Sequence, residues 1–329
     1  MKTLIFEYST CVGNNNLMSE GFEILKRLLE DLEYLSYDVD YLLMDNLNID
    51  SVKKSNKITL KEDLFNWLAN NSSNYDFCLF VAPEDDLIQY KITKILEKNN
   101  VNLLTSNSSA SYTCCSKILT YQKTPEDILK IPSIIIDTSH YDINLINDKV
   151  KYNHIICKPD NYTSSNYIYS IKKDELEDII KIYQKSNIKK MLIQKFVNGT
   201  PISISAIINT KDVNILSINS QIIRNYENRM SYKGCVSPIK HPLENRIKEI
   251  SCKIIKSIPG LKGFVGIDYI IDDKDIYFVE INSRITTPYI LLGKISNKNL
   301  TEYLIESIIH NKKMEEITFN DEGEFYNEK

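Results

Sequence analysis

Residues 263–284 read GFVGIDYIIDDKDIYFVEINSR. Two apolar runs, Phe264–Ile271 and Ile276–Ile281, flank the charged connection Asp272-Asp273-Lys274-Asp275, which is the pattern of an antiparallel hairpin. Side chains alternate faces along a strand, so Glu280 and Asn282 point one way with Phe278 and Ile276 below them. If Asp268 pairs opposite Glu280, the hairpin closes through an odd-numbered loop centred on Lys274, and Asp268 joins that face. The other face then holds Val265, Ile267, Tyr269, Ile271, Tyr277, Val279 and Ile281, while Gly266 leaves room beside Asp268. Two carboxylates and an amide oxygen on an otherwise buried hairpin repel one another and are costly to desolvate. A hard divalent cation relieves both costs. An open set of oxygen donors suits Mg²⁺, which keeps waters and shares phosphate oxygens, better than zinc. Asp268, Glu280 and Asn282 are therefore the expected metal ligands. The competing reading is a solvated hairpin face with a stray carboxylate pair. The apolar neighbours and the Glu-x-Asn-x-Arg ending weigh against it.

The rest of the chain bounds the class. At 329 residues it can hold two or three subdomains and a sizeable core. A net charge of −4 gives no footprint for nucleic acid or an acidic membrane, so neither is an expected partner. Only five of the 40 basic residues are arginine, and most of those lie between 224 and 284, which favours an anion site near the hairpin. Seven cysteines without a CxxC pair, no secretory leader and no apolar run of membrane length lead to a reduced, cytoplasmic protein. The vicinal Cys114-Cys115 pair reads as core. Four dispersed histidines support neither a zinc site nor a His-based triad. Oligomeric state stays open, a homodimer included.

Strands and helices alternate through the first hundred residues: a strand at 3–8, a helix at 17–35, strands at 39–43, 77–82 and 101–104, and helices near 61–69 and 85–98. That is an open, mostly parallel α/β sheet, with loops after Tyr8 and Ala82 nominated as ligand-facing. It lacks a GxGxxG turn, so dinucleotide binding has no support. The Ser/Asn-rich stretch Thr105–Ser111 reads as a domain junction. A helix around 112–121 follows, with strands at 133–137 and 153–158, the latter stopped by Pro159. Next come a helix at 173–185, strands at 191–197, 202–208 and 213–223, a helix at 243–257, the hairpin, and a last helix at 300–309. The tail after Glu315 is expected to fray. The fold class is α/β, with α+β character towards the C-terminus, in domains of 1–106, 107–197 and 198–329.

Lys158 ends the apolar strand HIIC and precedes Pro159 and a hydroxyl-rich loop, a setting that suits phosphate; Lys117 opens the same subdomain. Taken singly, each is one lysine among many. In combination, Lys117, Lys158-Pro159, Leu192-Ile193-Gln194-Lys195-Phe196-Val197-Asn198-Gly199, Asp268 and Glu280-Ile281-Asn282-Ser283-Arg284 stand in the order and spacing of an ATP-grasp ligase, which the chain resembles over about 115–310. With the preceding sheet as a pre-ATP-grasp domain, the resemblance takes in nearly the whole chain. It implies that Lys117 and Lys158 bind ATP phosphates, Lys158 also acting in catalysis. Gln194, Lys195, Phe196 and Val197 would form the strand between the lobes, the backbone of Lys195 and Val197 reading adenine. Asp268, Glu280 and Asn282 would hold two Mg²⁺ (or Mn²⁺) ions bridging the phosphates, and Arg284 would stabilise the transferring phosphoryl group. Gln221, Arg224 and Glu7 would face the substrates, Glu84 being a further candidate for an ammonium group.

Three departures stand out. The loop Asp160–Tyr167 has no glycine where the family has several, Pro201 replaces an acidic ribose ligand, and Gly266 replaces an arginine. Within the family, Phe6-Glu7-Tyr8-Ser9, Val81-Ala82-Pro83-Glu84, Ser203-Ile204-Ser205 and Ser220-Gln221 resemble the branch that joins L-glutamate to tyramine in methanofuran biosynthesis. The implied activity is amide formation through an acyl phosphate, with ATP, an amino acid and an amine as small-molecule substrates. Ligation of another acid and amine, or ATP binding for regulation, remain the alternatives.

Overall fold

The computed structural model describes residues 1–14, 18–162, 167–273 and 275–327. The chain opens with a parallel sheet in the order β3-β2-β1-β4-β5, built from β1 (Lys2–Glu7), β2 (Asp38–Leu42), β3 (Asn56–Ile58), β4 (Phe77–Val81) and β5 (Asn102–Leu103). Its helices are α1 (Tyr8–Val12), α2 (Met18–Leu32), α3 (Leu64–Asn71) and α4 (Ile88–Lys98). The stripe Ile24, Leu25, Leu28, Leu29 and Leu32 of α2 packs on Ile5 and Leu79 on one face. Leu64 and Leu68 of α3 and Ile92 and Leu96 of α4 pack on Leu4, Phe6 and Phe80 on the other. Burial on both faces is why β1 is a continuous apolar run instead of an alternating one.

The remaining strands form one long antiparallel sheet, β14-β13-β10-β11-β12-β8-β7-β9-β6, with β15 added to β12. One lobe holds β6 (Ser133–Asp137), β7 (His154–Pro159), β8 (Tyr169–Lys172) and β9 (Lys190–Lys195). It is preceded by α5 (Ser108–Cys114) and α6 (Lys117–Lys123) and carries α7 (Ile143–Lys149) and α8 (Leu176–Lys185). The other holds β10 (Thr200–Ile208), β11 (Val213–Tyr226), β12 (Arg229–Ser237), β13 (Gly263–Asp272), β14 (Asp275–Asn282) and β15 (Gly323–Tyr326), with α9 (Glu244–Ser257), α10 (Pro288–Ile295) and α11 (Leu300–Ile309). The lobes meet where Arg229 of β12 pairs with Tyr169 of β8, a narrow joint beside the 196–199 connection.

Several expectations are corrected. The hairpin does not close on an odd-numbered loop: Asp272 pairs with Asp275, and Lys274 lies outside the described residues. Parity is restored by a bulge, since Asp268 faces Glu280 while Tyr269 faces Phe278, leaving Val279 as the extra residue. Phe278 and Ile276 therefore turn to the Tyr269 and Ile271 side and enter the core, not the space beneath Glu280. The helix expected at 112–121 is two helices, because Ser116 breaks the first and caps the second. The strand expected at 213–223 runs on to Tyr226, and β12 follows it through Glu227-Asn228, both at positive φ. The tail is tied down: β15 pairs with β12 from Gly234↔Tyr326 to Ser237↔Gly323. The junction at 105–111 is likewise pinned, with Asn107 N–H donating to the Gly260 carbonyl and Ser106 bonded to Lys262.

Candidate active site

A cavity of about 440 Å³ opens between the two lobes and is bounded on one side by Glu20 of α2 and Glu84 after β4, a size that suits a small-molecule site. Its floor is the hairpin. Asp268 stands opposite Glu280 and Gly266 opposite Asn282, so the three expected ligands share one wall of the cavity. A side chain at position 266 would come within 2.9 Å of Thr286, which is why glycine stands there.

Electrostatics separates the two carboxylates. Burial pushes Asp268 up, and the Glu280 charge pushes it further, against a hydrogen bond from Gln221 and the charge of Lys158. Burial also opposes Glu280, but Lys117 and Lys158 outweigh it and hold that carboxylate below its usual range. Lys117 Nζ lies 3.2 Å from Glu280 Oε2 and donates to the Tyr162 carbonyl at 2.5 Å. Two half-buried carboxylates crowded with an amide oxygen fit a hard divalent ion. No group of three or more His, Cys, Asp or Glu that could hold a metal ion is found among the described residues.

The two lysines are set by local structure. Lys158 sits near the end of β7, largely buried; desolvation lowers its pKa, partly offset by Glu280 and Asp268. Two residues on, Asp160 reaches across to α6: its carboxylate accepts from Ser116 Oγ at 2.8 Å and Ile118 N at 3.0 Å. That staple holds the start of α6, and with it Lys117, against the end of β7. Thr163–Ser165, the hydroxyls expected beside Lys158, lie outside the described residues.

Gln194, Lys195, Phe196 and Val197 line the cavity where the chain leaves β9. The Lys195 N–H is taken by the Pro132 carbonyl at 3.0 Å, and Phe196 stacks on His154 with ring centroids 4.1 Å apart. The buried Gln194 donates to Ser133 at 2.9 Å, while its Oε1 has no partner among the described residues.

Arg284 also lines the cavity but is gripped from the N-terminal sheet: Nε and Nη2 meet the two Glu84 oxygens at 2.9 and 3.1 Å. Gln221 is present beside Asp268. Two expected substrate residues are not brought here. Glu7 caps α1, its carboxylate accepting from Ser9 N and Thr10 N, and Arg224 is exposed on β11 outside the cavity lining.

Other cavity residues escaped the sequence reading: Glu20 of α2, Tyr232 of β12 and Thr287 before α10. The dipeptide Thr287-Pro288 carried a usable signal, since proline favours the first turn of a helix. Glu20 carried none, because its place depends on the packing of α2 against α10.

A family model described as an ATP-grasp domain matches residues 114–288. The tyramine–L-glutamate ligase of Methanocaldococcus jannaschii is 32% identical over 332 residues, covering 98% of this chain and 92% of that protein. The protein of the same name from Methanocaldococcus fervens is 31% identical, covering 97% of each. Among solved structures, D-alanine–D-alanine ligase from Bacillus anthracis shares the fold with a TM-score of 0.69 at 17% identity, covering 94% of this chain and 96% of that one.

Proposed function

The chain belongs to the ATP-grasp family as an ATP-dependent ligase, and on that footing we propose that it joins the γ-carboxyl of L-glutamate to tyramine, releasing ADP and phosphate. The observation that carries the reading is the shared cavity wall of Asp268, Glu280 and Asn282 facing Lys117, Lys158 and Arg284. Such a site has charge and positioning to offer and needs no nucleophile of its own, as phosphoryl transfer requires.

Lys117 and Lys158 would hold the ATP phosphates. The Lys195 carbonyl and the Val197 N–H would meet the adenine edge, and Gln194 Oε1 would accept from its amino group. Asp268, Glu280 and Asn282 would hold two Mg²⁺ or Mn²⁺ ions, which neutralise the β- and γ-phosphate oxygens when bound. A substrate carboxylate oxygen bonds to the γ-phosphorus as the bridge to ADP breaks. The amine nitrogen then bonds to the acyl carbon, phosphate leaves, and the amine gives up its proton. Arg284, held in plane by Glu84, would stabilise the charge on the transferring group. Gln221, bonded to Asp268, would face the amino-acid substrate from the cavity wall. The likeness to the two Methanocaldococcus ligases supports glutamate and tyramine as the pair.

No described helix is long and apolar enough to cross a membrane. The seven unpaired cysteines and the need for ATP are in keeping with a cytoplasmic enzyme. The test is ADP release with ATP, Mg²⁺, L-glutamate and tyramine, with the amide identified by mass. Equal amounts of ADP and γ-glutamyltyramine are expected. Turnover only with a different acid and amine would replace the substrates, and ATP binding without turnover on any pair would overturn the ligase reading.

A further inference from the structure

Four carboxylates line the cavity among the described residues: Glu20, Glu84, Asp268 and Glu280. Three are committed. Glu84 is bidentate to Arg284, Glu280 is paired with Lys117, and Asp268 faces Glu280 on the metal wall with Gln221 bonded to it. Glu20 is different. Its Oε1 accepts from Thr287 Oγ1, and no Lys or Arg nitrogen among the described residues pairs with it. Arg284 is close enough to feel its charge but has given its fork to Glu84. Tyr232 also lines the cavity, its phenol bonded to Thr287 and near enough to feel the Glu20 charge.

We infer that Glu20 binds the primary ammonium group of a substrate, with Thr287 fixing the carboxylate. A carboxylate with no paired cation, held in place inside a cavity, is complementary to a ligand cation. This deepens the ligase reading and rests on it. Both proposed substrates carry such a group, the α-ammonium of the amino acid and the ammonium form of the amine. The inference also explains why the expected candidates do not serve: Glu7 is a helix cap and Glu84 is spent on Arg284.

Steady-state kinetics of Glu20→Gln test it, since glutamine keeps an oxygen for Thr287 and loses only the charge. Losing a hydrogen bond to a charged group predicts a rise in KM of roughly 10- to 100-fold for one substrate, with kcat changed far less. A rise for L-glutamate alone assigns the α-ammonium; wild type should then reject glutarate, which lacks that group, and the variant should no longer discriminate. A rise for tyramine alone assigns the amine. Unchanged KM for both, or a fall in kcat alone, overturns the assignment and leaves Glu20 a structural partner of Thr287. A retained Mg²⁺-ATP thermal shift shows that the variant is folded. Calorimetric binding of L-glutamate and of tyramine to the complex with Mg²⁺ and a non-hydrolysable ATP analogue reads the same loss without turnover. Failure of amide formation by wild type is therefore seen separately from failure of the Glu20 assignment.

Discussion

Glu84 and Arg284 lie 200 positions apart and join the loop after β4 to the segment that leaves the β13–β14 hairpin through two parallel bonds of 2.9 and 3.1 Å. Their side chains are 5% and 16% exposed, so the pair is effectively desolvated. Removing one partner leaves the other charge buried and unpaired, which costs about 3–5 kcal/mol, whereas removing both costs much less. For a chain of 329 residues each kcal/mol shifts the melting point by roughly 1.5 °C. Glu84→Ala and Arg284→Met should therefore each lower Tm by about 4–8 °C. The double variant should melt above either single one, because the second substitution removes the charge that the first stranded. Thermal unfolding of the four proteins without nucleotide forms a double-mutant cycle, with an expected coupling of at least about 3 kcal/mol. Losses that simply add in the double variant would refute the claim that this pair locks the segment after β14 to the N-terminal part of the chain.

Other outcomes follow from individual contacts. Burial pushes the Glu7 carboxyl up to about 7, against its two backbone donors. The folded state thus holds the proton more tightly, and the contribution to stability is full below the unfolded value of 4.5 and lost as pH rises through about 7. The loss is roughly 3 kcal/mol, and Glu7→Gln should flatten that part of the stability profile; an unchanged slope would count against it. Asn219 accepts from Ser217 at 2.7 Å and Ser237 at 2.5 Å and donates to Ser203 and Ser205 at 3.1 and 3.2 Å, all buried. Asn219→Ala should cost about 2–4 kcal/mol in denaturant unfolding, because it strands several hydroxyls at once. Lys117→Met should weaken ATP binding by about 10- to 100-fold in calorimetry while the protein stays folded, and undiminished affinity would remove Lys117 from the phosphate site.

Much of this architecture can be read from residue patterns, and the misses have physical causes. The pairing of Asp268 with Glu280 follows from putting three oxygen donors on one face, and α11 matches its expected span because its apolar spacing and its Asn299 cap agree. The bulge at Val279 is invisible to strict alternation, since an extra residue changes parity without changing composition. β12 was missed because Arg229-Met-Ser-Tyr-Lys-Gly mixes polar and apolar residues without a clean period of two, and a half-buried strand at a lobe joint has no reason to keep one. β15 reads as an acidic tail because its order comes from pairing with β12 instead of from its own residues. At the site, Lys117 and Lys158 stood out by their places next to a helix start and a strand end. The staple made by Asp160, the grip of Glu84 on Arg284 and the exposure of Glu20 to the cavity are tertiary facts that local patterns do not encode.

The measurement closest to the proposed chemistry is isotope transfer from L-glutamate labelled with ¹⁸O in its γ-carboxyl, run with ATP, Mg²⁺ and tyramine. One labelled oxygen should appear in the released phosphate for each amide formed, and the other should stay in the amide carbonyl. Unlabelled phosphate, or label recovered in AMP, would contradict activation of that carboxyl as an acyl phosphate.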